Sequence, residues 1–109
     1  MEVTFTCGGM VQRFEIDHTL KTWPDVFKEI QAGRKLHEFR KNDRGFELGD
    51  KVLFREFEPV GEVYSGAVVL IEISSISYGP EWGIPDGFCA FSIREINRAD
   101  AGEWELADA

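Results

Sequence analysis

The residues most able to take part in chemistry are concentrated in one segment, residues 33–50. Between residues 34 and 41, four Lys or Arg residues accompany a single acid, Glu38, and Arg44 follows three residues later. Because like charges repel, cations gathered on a short segment are typical of a surface that meets an anion, such as a phosphate or a nucleic-acid backbone. The segment therefore predicts an anion-binding site, with solvated surface charge as the ordinary alternative for any one residue.

Lys35 and Glu38 are the residues of this segment that could exchange protons with a ligand. A lysine does so near neutral pH only when burial or a neighbouring cation favours its uncharged form, and Arg34 or Arg40 could be that neighbour. The alternative is an ordinary ion pair that orients the site, worth about 1 kcal/mol if exposed. We therefore expect both residues to bind ligand, and they are the catalytic candidates if the protein is an enzyme.

The other binding candidates are basic or aromatic. Arg40 has a planar guanidinium that suits a phosphate or a base edge, and its alternative is a salt bridge to Glu38 or Asp43. Aromatic side chains can stack on a base for about 1–3 kcal/mol. The alternatives are a core or staple position for Trp23, and a lid over the end of the barrel for Tyr78 and Trp82. The predicted ligand-binding residues are Lys21, Trp23, Lys35, Glu38, Arg40, Lys41, Arg44, Tyr78 and Trp82.

The histidines and cysteines show no pattern of a metal site or a nucleophile. A structural zinc site needs about four nitrogen or sulfur ligands at short spacings, whereas the two Cys and two His residues are scattered. Cys89 is expected to be buried in a strand, where a thiol behaves as a small apolar residue. We predict no metal and no cofactor.

Length and composition indicate a single folded domain. The chain has 109 residues, 43% of them hydrophobic, and a net charge of −8. Residues 21–55 contain nine basic and six acidic residues, whereas the remainder has three basic and fourteen acidic ones. Such a chain repels a long duplex everywhere except near its basic segment, so a small anion or a single-stranded nucleotide is the better match. Without a membrane-length apolar run or a basic-then-apolar leader, we expect a cytoplasmic protein that does not enter a membrane.

The pattern along the chain predicts strands and one helix. Residues 3–6 and 11–16 alternate as a hairpin, and a helix runs from an N-cap at Thr22 to an end at Gly33. Strands follow at residues 36–41, 51–58, 67–78 and 88–93, the third being central because its apolar run is continuous. Residues 97–109 are expected to form a flexible acidic tail or a short helix. The fold class is α+β and mainly β, a small, partly closed barrel with one helix packed beside it.

Several motifs resemble the ASCH superfamily of PUA-like domains. They are Trp23-Pro-x-x-Phe27-x-x-Ile30-x-x-Gly33-Arg-Lys35, Glu38-x-Arg40, Gly49-Asp50, Tyr64-Ser65-Gly66 and the closing strand from Gly87 to Ile93. The resemblance covers about residues 18–96 and is closest to a small uncharacterised branch that is common in phage and bacteria. It implies a β-barrel with a cleft beside the helix, and RNA or a nucleotide-like ligand as the partner.

One member of that superfamily, the bacterial N4-acetylcytidine amidohydrolase, has a segment similar to residues 32–35. Its catalytic lysine would fall on Lys35 and its catalytic threonine on Glu38, and a carboxylate cannot replace a hydroxyl nucleophile. Three functions are therefore expected: binding of RNA or a nucleotide-like ligand, hydrolysis or deacylation of a modified nucleoside, and a phage-type inhibitor. The inhibitor would present its acidic surface to a host protein.

Overall fold

The computed structural model describes residues 1–107, which form eight strands, one α-helix and one short 3₁₀ helix. In chain order the elements are β1 (Glu2–Cys7), β2 (Met10–Glu15), β3 (His18–Thr22), α1 (Pro24–Gln31), β4 (His37–Lys41), β5 (Lys51–Glu58), β6 (Val63–Tyr78), the 3₁₀ helix (Glu81–Gly83), β7 (Phe88–Ala99) and β8 (Trp104–Ala107). The predicted class, α+β and mainly β, is confirmed. No helix in this part of the chain has the length and apolarity that crossing a membrane requires.

The larger sheet has five strands in the order β3-β5-β6-β7-β4, and only the β3–β5 pair is parallel. The long strand β6 lies at its centre, as its continuous apolar run predicted. Val69 and Ile71 point into one core, together with Phe27 and Ile30 of the helix. Val68 and Leu70 point into a second core on the opposite face. The run is continuous because both faces of β6 are covered.

The smaller sheet, in the order β2-β1-β8, supplies the cover for the second face. Its last strand corrects the prediction of a flexible tail, because β7 continues to Ala99 and β8 pairs with β1. Trp104 and Leu106 alternate with acids, so their side chains pack on the second core while the carboxylates face away. Residues 108–109 of the predicted tail lie outside the described residues.

Helix α1 begins one residue later than predicted. Trp23 is the N-cap and makes no side-chain capping bond. Thr22 is instead the buried last residue of β3, where it pairs with Glu56 of β5. The C-terminal end agrees with the prediction, since the N–H of Gly33 donates to the carbonyl of Ile30 at 3.1 Å.

The five-stranded sheet curls into a half-barrel. Register shifts occur in β5 between Arg55 and Phe57 and at two places between β6 and β7, and such bulges increase the local twist of a sheet. The two edge strands β3 and β4 consequently line the same cleft. The curl therefore brings together residues from opposite edges of the sheet.

Candidate functional site

A cleft of about 630 Å³ lies between the two edge strands. Residues 19–23 and Val26 form one side, residues 38–40 form the other, and Arg44, Arg55 and Tyr64 complete the lining. Pockets of roughly 300–1,000 Å³ are typical of small-molecule and cofactor sites. The cleft therefore has room for a ligand of nucleotide size.

The lining of the cleft is strongly cationic. Lys21, Arg40, Arg44 and Arg55 line it together with a single acid, Glu38. Within residues 1–107, none of these four cations has a carboxylate oxygen within 4.0 Å, although other Lys and Arg side chains do form ion pairs. In a chain with net charge −8, this is a local concentration of uncompensated positive charge, which attracts anions.

The structure brings most of the predicted site residues together. Lys21, Trp23, Glu38, Arg40 and Arg44 line the cleft. Lys21 and Arg40 lie on the two opposite edge strands of the sheet. The curl of the sheet, and not closeness in the sequence, therefore brings these two side chains into one cleft.

Lys35 lies beside the cleft rather than in its lining. Its Nζ is 3.6 Å from Oε1 of Glu38, and the two side chains are 23% and 14% exposed. The backbone N–H of Lys35 donates to the carbonyl of Glu29, which holds the residue just past the end of the helix. The pair is therefore an ion pair with one member, Glu38, in the cleft wall.

Arg44 ties the loop after β4 to the free edge of β3. Its Nη1 donates to the backbone carbonyl of Thr19 at 2.8 Å. Asn42 acts as a turn former, because its Oδ1 accepts from the N–H of Phe46 at 2.9 Å. This loop is further fixed by His18, whose Nε2 lies 2.7 Å from Oδ2 of Asp50.

Trp23 corrects one alternative from the sequence analysis. Its side chain is 57% exposed and lines the cleft, so it is neither a core residue nor a staple. Phe27 and Ile30 fill the core beneath the helix, and this leaves the N-cap residue on the outer side. An exposed indole at a cationic cleft is suited to stacking on a planar ligand.

Besides Lys35, three predicted binding residues lie outside the cleft lining: Lys41, Tyr78 and Trp82. The hydroxyl of Tyr78 donates to the carbonyl of Phe46 at 2.7 Å, and burial is the main cause that raises the pKa of Tyr78. Trp82 is 86% exposed, so it does not form the lid considered above. The sequence could not show whether Tyr78, at the end of β6, and Trp82, in the segment that follows, lie in the cleft, because their positions depend on the curl of the sheet.

Arg55 and Tyr64 also line the cleft but were not among the predicted site residues. The Cζ atom of Arg55 lies 3.9 Å from the centroid of the Tyr64 ring and 5.2 Å from that of Trp104. Arg55 pairs with Lys21 across the parallel β3–β5 ladder, so two cations are neighbours in one wall. The available signal was a cation directly after the apolar run Val52-Leu53-Phe54.

Comparison with known proteins assigns the chain to a family. Residues 17–93 match the family described as "Domain of unknown function (DUF3850)", and the chain belongs to this family. The matched region contains every residue that lines the cleft and excludes β1 and β8.

The chain is also similar to a phage protein. It is 32% identical over 65 residues to the "Uncharacterized 12.9 kDa protein in GpA 3'region" of Escherichia phage P2. The match covers 60% of this chain and 58% of the phage protein, less than two thirds of that relative's length.

Proposed function

We propose that the chain binds RNA or a nucleotide-like ligand in the cleft between β3 and β4, as a PUA-like domain of the ASCH type. The observation that carries this proposal is the group of four cations around a cleft of nucleotide size in an acidic chain. The curled sheet with one helix and a cleft beside it agrees with such a domain.

The lining residues supply complementary contacts for a nucleotide. Arg40 and Arg44 can donate to phosphate oxygens, and Lys21 adds a point charge. The exposed indole of Trp23 can stack on a base, and the carboxylate of Glu38 can accept from an exocyclic amino group. Each cleft wall is also the outer edge of the five-stranded sheet, so its backbone groups can bond to a base edge.

Charge favours a short or single-stranded ligand. Outside residues 21–55 the chain has three basic and fourteen acidic residues, which repel a phosphate backbone extending beyond the cleft. A ligand that places only a few phosphates in the cleft avoids this repulsion.

The test is a titration with short single-stranded RNAs, monitored by tryptophan fluorescence, to which Trp23 contributes together with Trp82 and Trp104. Lys21→Gln and Arg40→Gln are expected to weaken binding and to lower the salt slope by about one each, since each cation that meets a phosphate releases one counterion. Arg13→Gln is the matched control, because it removes the same charge from an exposed position of β2 that is not part of the lining. If all three variants bind the RNAs with the affinity of the unmodified chain, the proposal is refuted.

A second candidate is hydrolysis of a modified nucleoside. It is favoured by the contact between Lys35 and Glu38 and by the position of Glu38 in the cleft wall. In this reaction Glu38 accepts a proton from water, the water oxygen attacks the acyl carbon, and the amine leaves with a proton from Lys35. Incubation with N4-acetylcytidine tests this second candidate. If the unmodified chain releases acetate no faster than Glu38→Gln does, catalysis is rejected and the binding proposal is unaffected.

A further inference from the structure

Arg55 lies in the cleft with its guanidinium held against two aromatic rings. Its Cζ is 3.9 Å from the ring centroid of Tyr64, on β6, and 5.2 Å from that of Trp104, on β8. Trp104 is itself fixed, because its indole N–H donates to the carbonyl of Gly66 at 2.7 Å. Stacking on aromatic faces restricts the plane of a guanidinium and leaves its N–H edges available.

The N–H groups of this guanidinium find no acceptor among residues 1–107. Nε of Arg55 is buried without a hydrogen-bond partner. The two Nη groups are not among the buried unsatisfied atoms and make no hydrogen bond, so they are accessible to solvent at the cleft. A charged donor taken out of water without an acceptor is costly for stability, so the arrangement is better explained by an external acceptor than by the fold.

The surroundings of Arg55 increase that cost in the free protein. Lys21 is its register neighbour on β3, and Arg40 and Arg44 line the same cleft. The only acid in the lining, Glu38, already has Lys35 within 3.6 Å. An anion with more than one charge-bearing oxygen relieves the repulsion and satisfies several donors at once.

We propose that Arg55 binds a phosphate group, so that the cleft takes phosphorylated nucleotides in preference to nucleosides. This inference rests on the proposed function, since it names the part of the ligand that the cleft selects. The accessible Nη edge meets two phosphate oxygens while the aromatic rings hold the guanidinium plane. The remaining cleft volume, bounded by Trp23 and β4, receives the nucleoside.

The experiment is calorimetric titration of the full chain with the four ribonucleoside 5′-monophosphates, the four nucleosides, and a short RNA that has hydroxyl groups at both ends. The unmodified chain is compared with Arg55→Gln, Arg55→Lys and the charge-matched control Arg13→Gln. Monophosphates are expected to bind the unmodified chain about tenfold or more tightly than nucleosides, a preference typical of hydrogen bonds to charged groups. Arg55→Gln lowers this preference, Arg55→Lys keeps more of it than Arg55→Gln does, and Arg13→Gln leaves it unchanged.

A measurement on the unmodified chain guards against a variant that fails to fold. Inorganic phosphate is added while the indole N–H resonances are followed by NMR, and the resonance of Trp104 is identified with Trp104→Phe. Because Trp104 lies beside Arg55, its indole signal is expected to shift with saturation, whereas that of the exposed Trp82 stays unchanged.

The outcomes separate this inference from the proposed function. Equal binding of monophosphates and nucleosides, or a preference that Arg55→Gln leaves undiminished, overturns the phosphate role of Arg55 while the cleft remains a binding site. If only the RNA binds, and its binding depends on Arg55, the result supports phosphate recognition by Arg55. The group recognised is then a phosphodiester within an RNA chain. Failure of all three ligand classes to bind refutes the proposed function itself.

Discussion

Replacing Gly66 with alanine is expected to destabilise the protein strongly. Gly66 has a φ of +94°, and a Cβ at this position would lie 2.9 Å from Cα of Ala101 and even closer to the Ala101 Cβ. Its carbonyl also accepts the indole N–H of Trp104. Strain here therefore disturbs both the turn before β8 and the ring against which Arg55 is held.

The expected magnitude follows from two separate costs. A positive φ costs an L-residue about 1–2 kcal/mol, and overpacking against a neighbour costs about 1–3 kcal/mol, so Gly66→Ala should lose about 2–5 kcal/mol of unfolding free energy. Gly102 has a φ of +85° and no heavy atom within 4 Å of an added Cβ, so Gly102→Ala carries only the first cost. Gly61 has neither feature, and Gly61→Ala should stay within about 0.5 kcal/mol of the unmodified chain.

Urea unfolding of the three variants measures these differences. Adding Ala101→Gly to Gly66→Ala should recover part of the loss, judged against Ala101→Gly alone, because it removes the atom closest to the new methyl group. If Gly66→Ala and Gly102→Ala lose the same free energy, the reasoning about the Ala101 contact is refuted.

Three further predictions concern titration, stability and reactivity. The pKa of Glu72 is lowered, chiefly by a hydrogen bond from Arg94. The ionised Glu72 side chain therefore contributes to stability above its ordinary pKa, and this contribution is lost as the pH falls through the lowered pKa. In Arg94→Gln the pKa of Glu72, measured by NMR titration, should return toward 4.5. Tyr78→Phe leaves a backbone carbonyl without its donor and should cost about 1 kcal/mol in urea unfolding; an unchanged midpoint would contradict this. Burial is the main cause that raises the pKa of Cys89, so iodoacetamide should label the exposed Cys7 first. Peptide mass spectrometry measures the order of labelling, and labelling of Cys89 before Cys7 would contradict this prediction.

The regular elements followed their local patterns closely. The strand predicted at residues 51–58 is β5 with the same bounds, and the helix ends before Gly33 as predicted. Both predictions depend on neighbours a few residues apart, namely alternating side chains in a strand and a glycine just after a helix. Strand β8 was missed because it has only four residues and owes its conformation to β1 at the other end of the chain.

The candidate site was only partly predictable for a related reason. Charge composition along the chain indicated Lys21, Arg40 and Arg44, which line the cleft. It could not separate them from Lys41, which is the next residue after Arg40 but lies outside the lining, because charge composition does not show which part of a strand the curl of the sheet brings to the cleft. Arg55 was passed over because it directly follows the apolar run Val52-Leu53-Phe54 of a predicted strand. Its importance comes from Tyr64 and Trp104, which belong to other strands.

The amino-acid sequence by itself determined the class of fold, the central position of β6 and the concentration of cations in an acidic chain. These properties follow from side-chain periodicity and charge, which depend on residues close together in the chain. Only the tertiary structure decided that the two edges of one sheet face each other across a cleft, and that its wall contains an arginine without an acceptor among residues 1–107. The physical reason is that the curl comes from twist, bulges and packing on both faces of the sheet, which join residues that are distant in the chain.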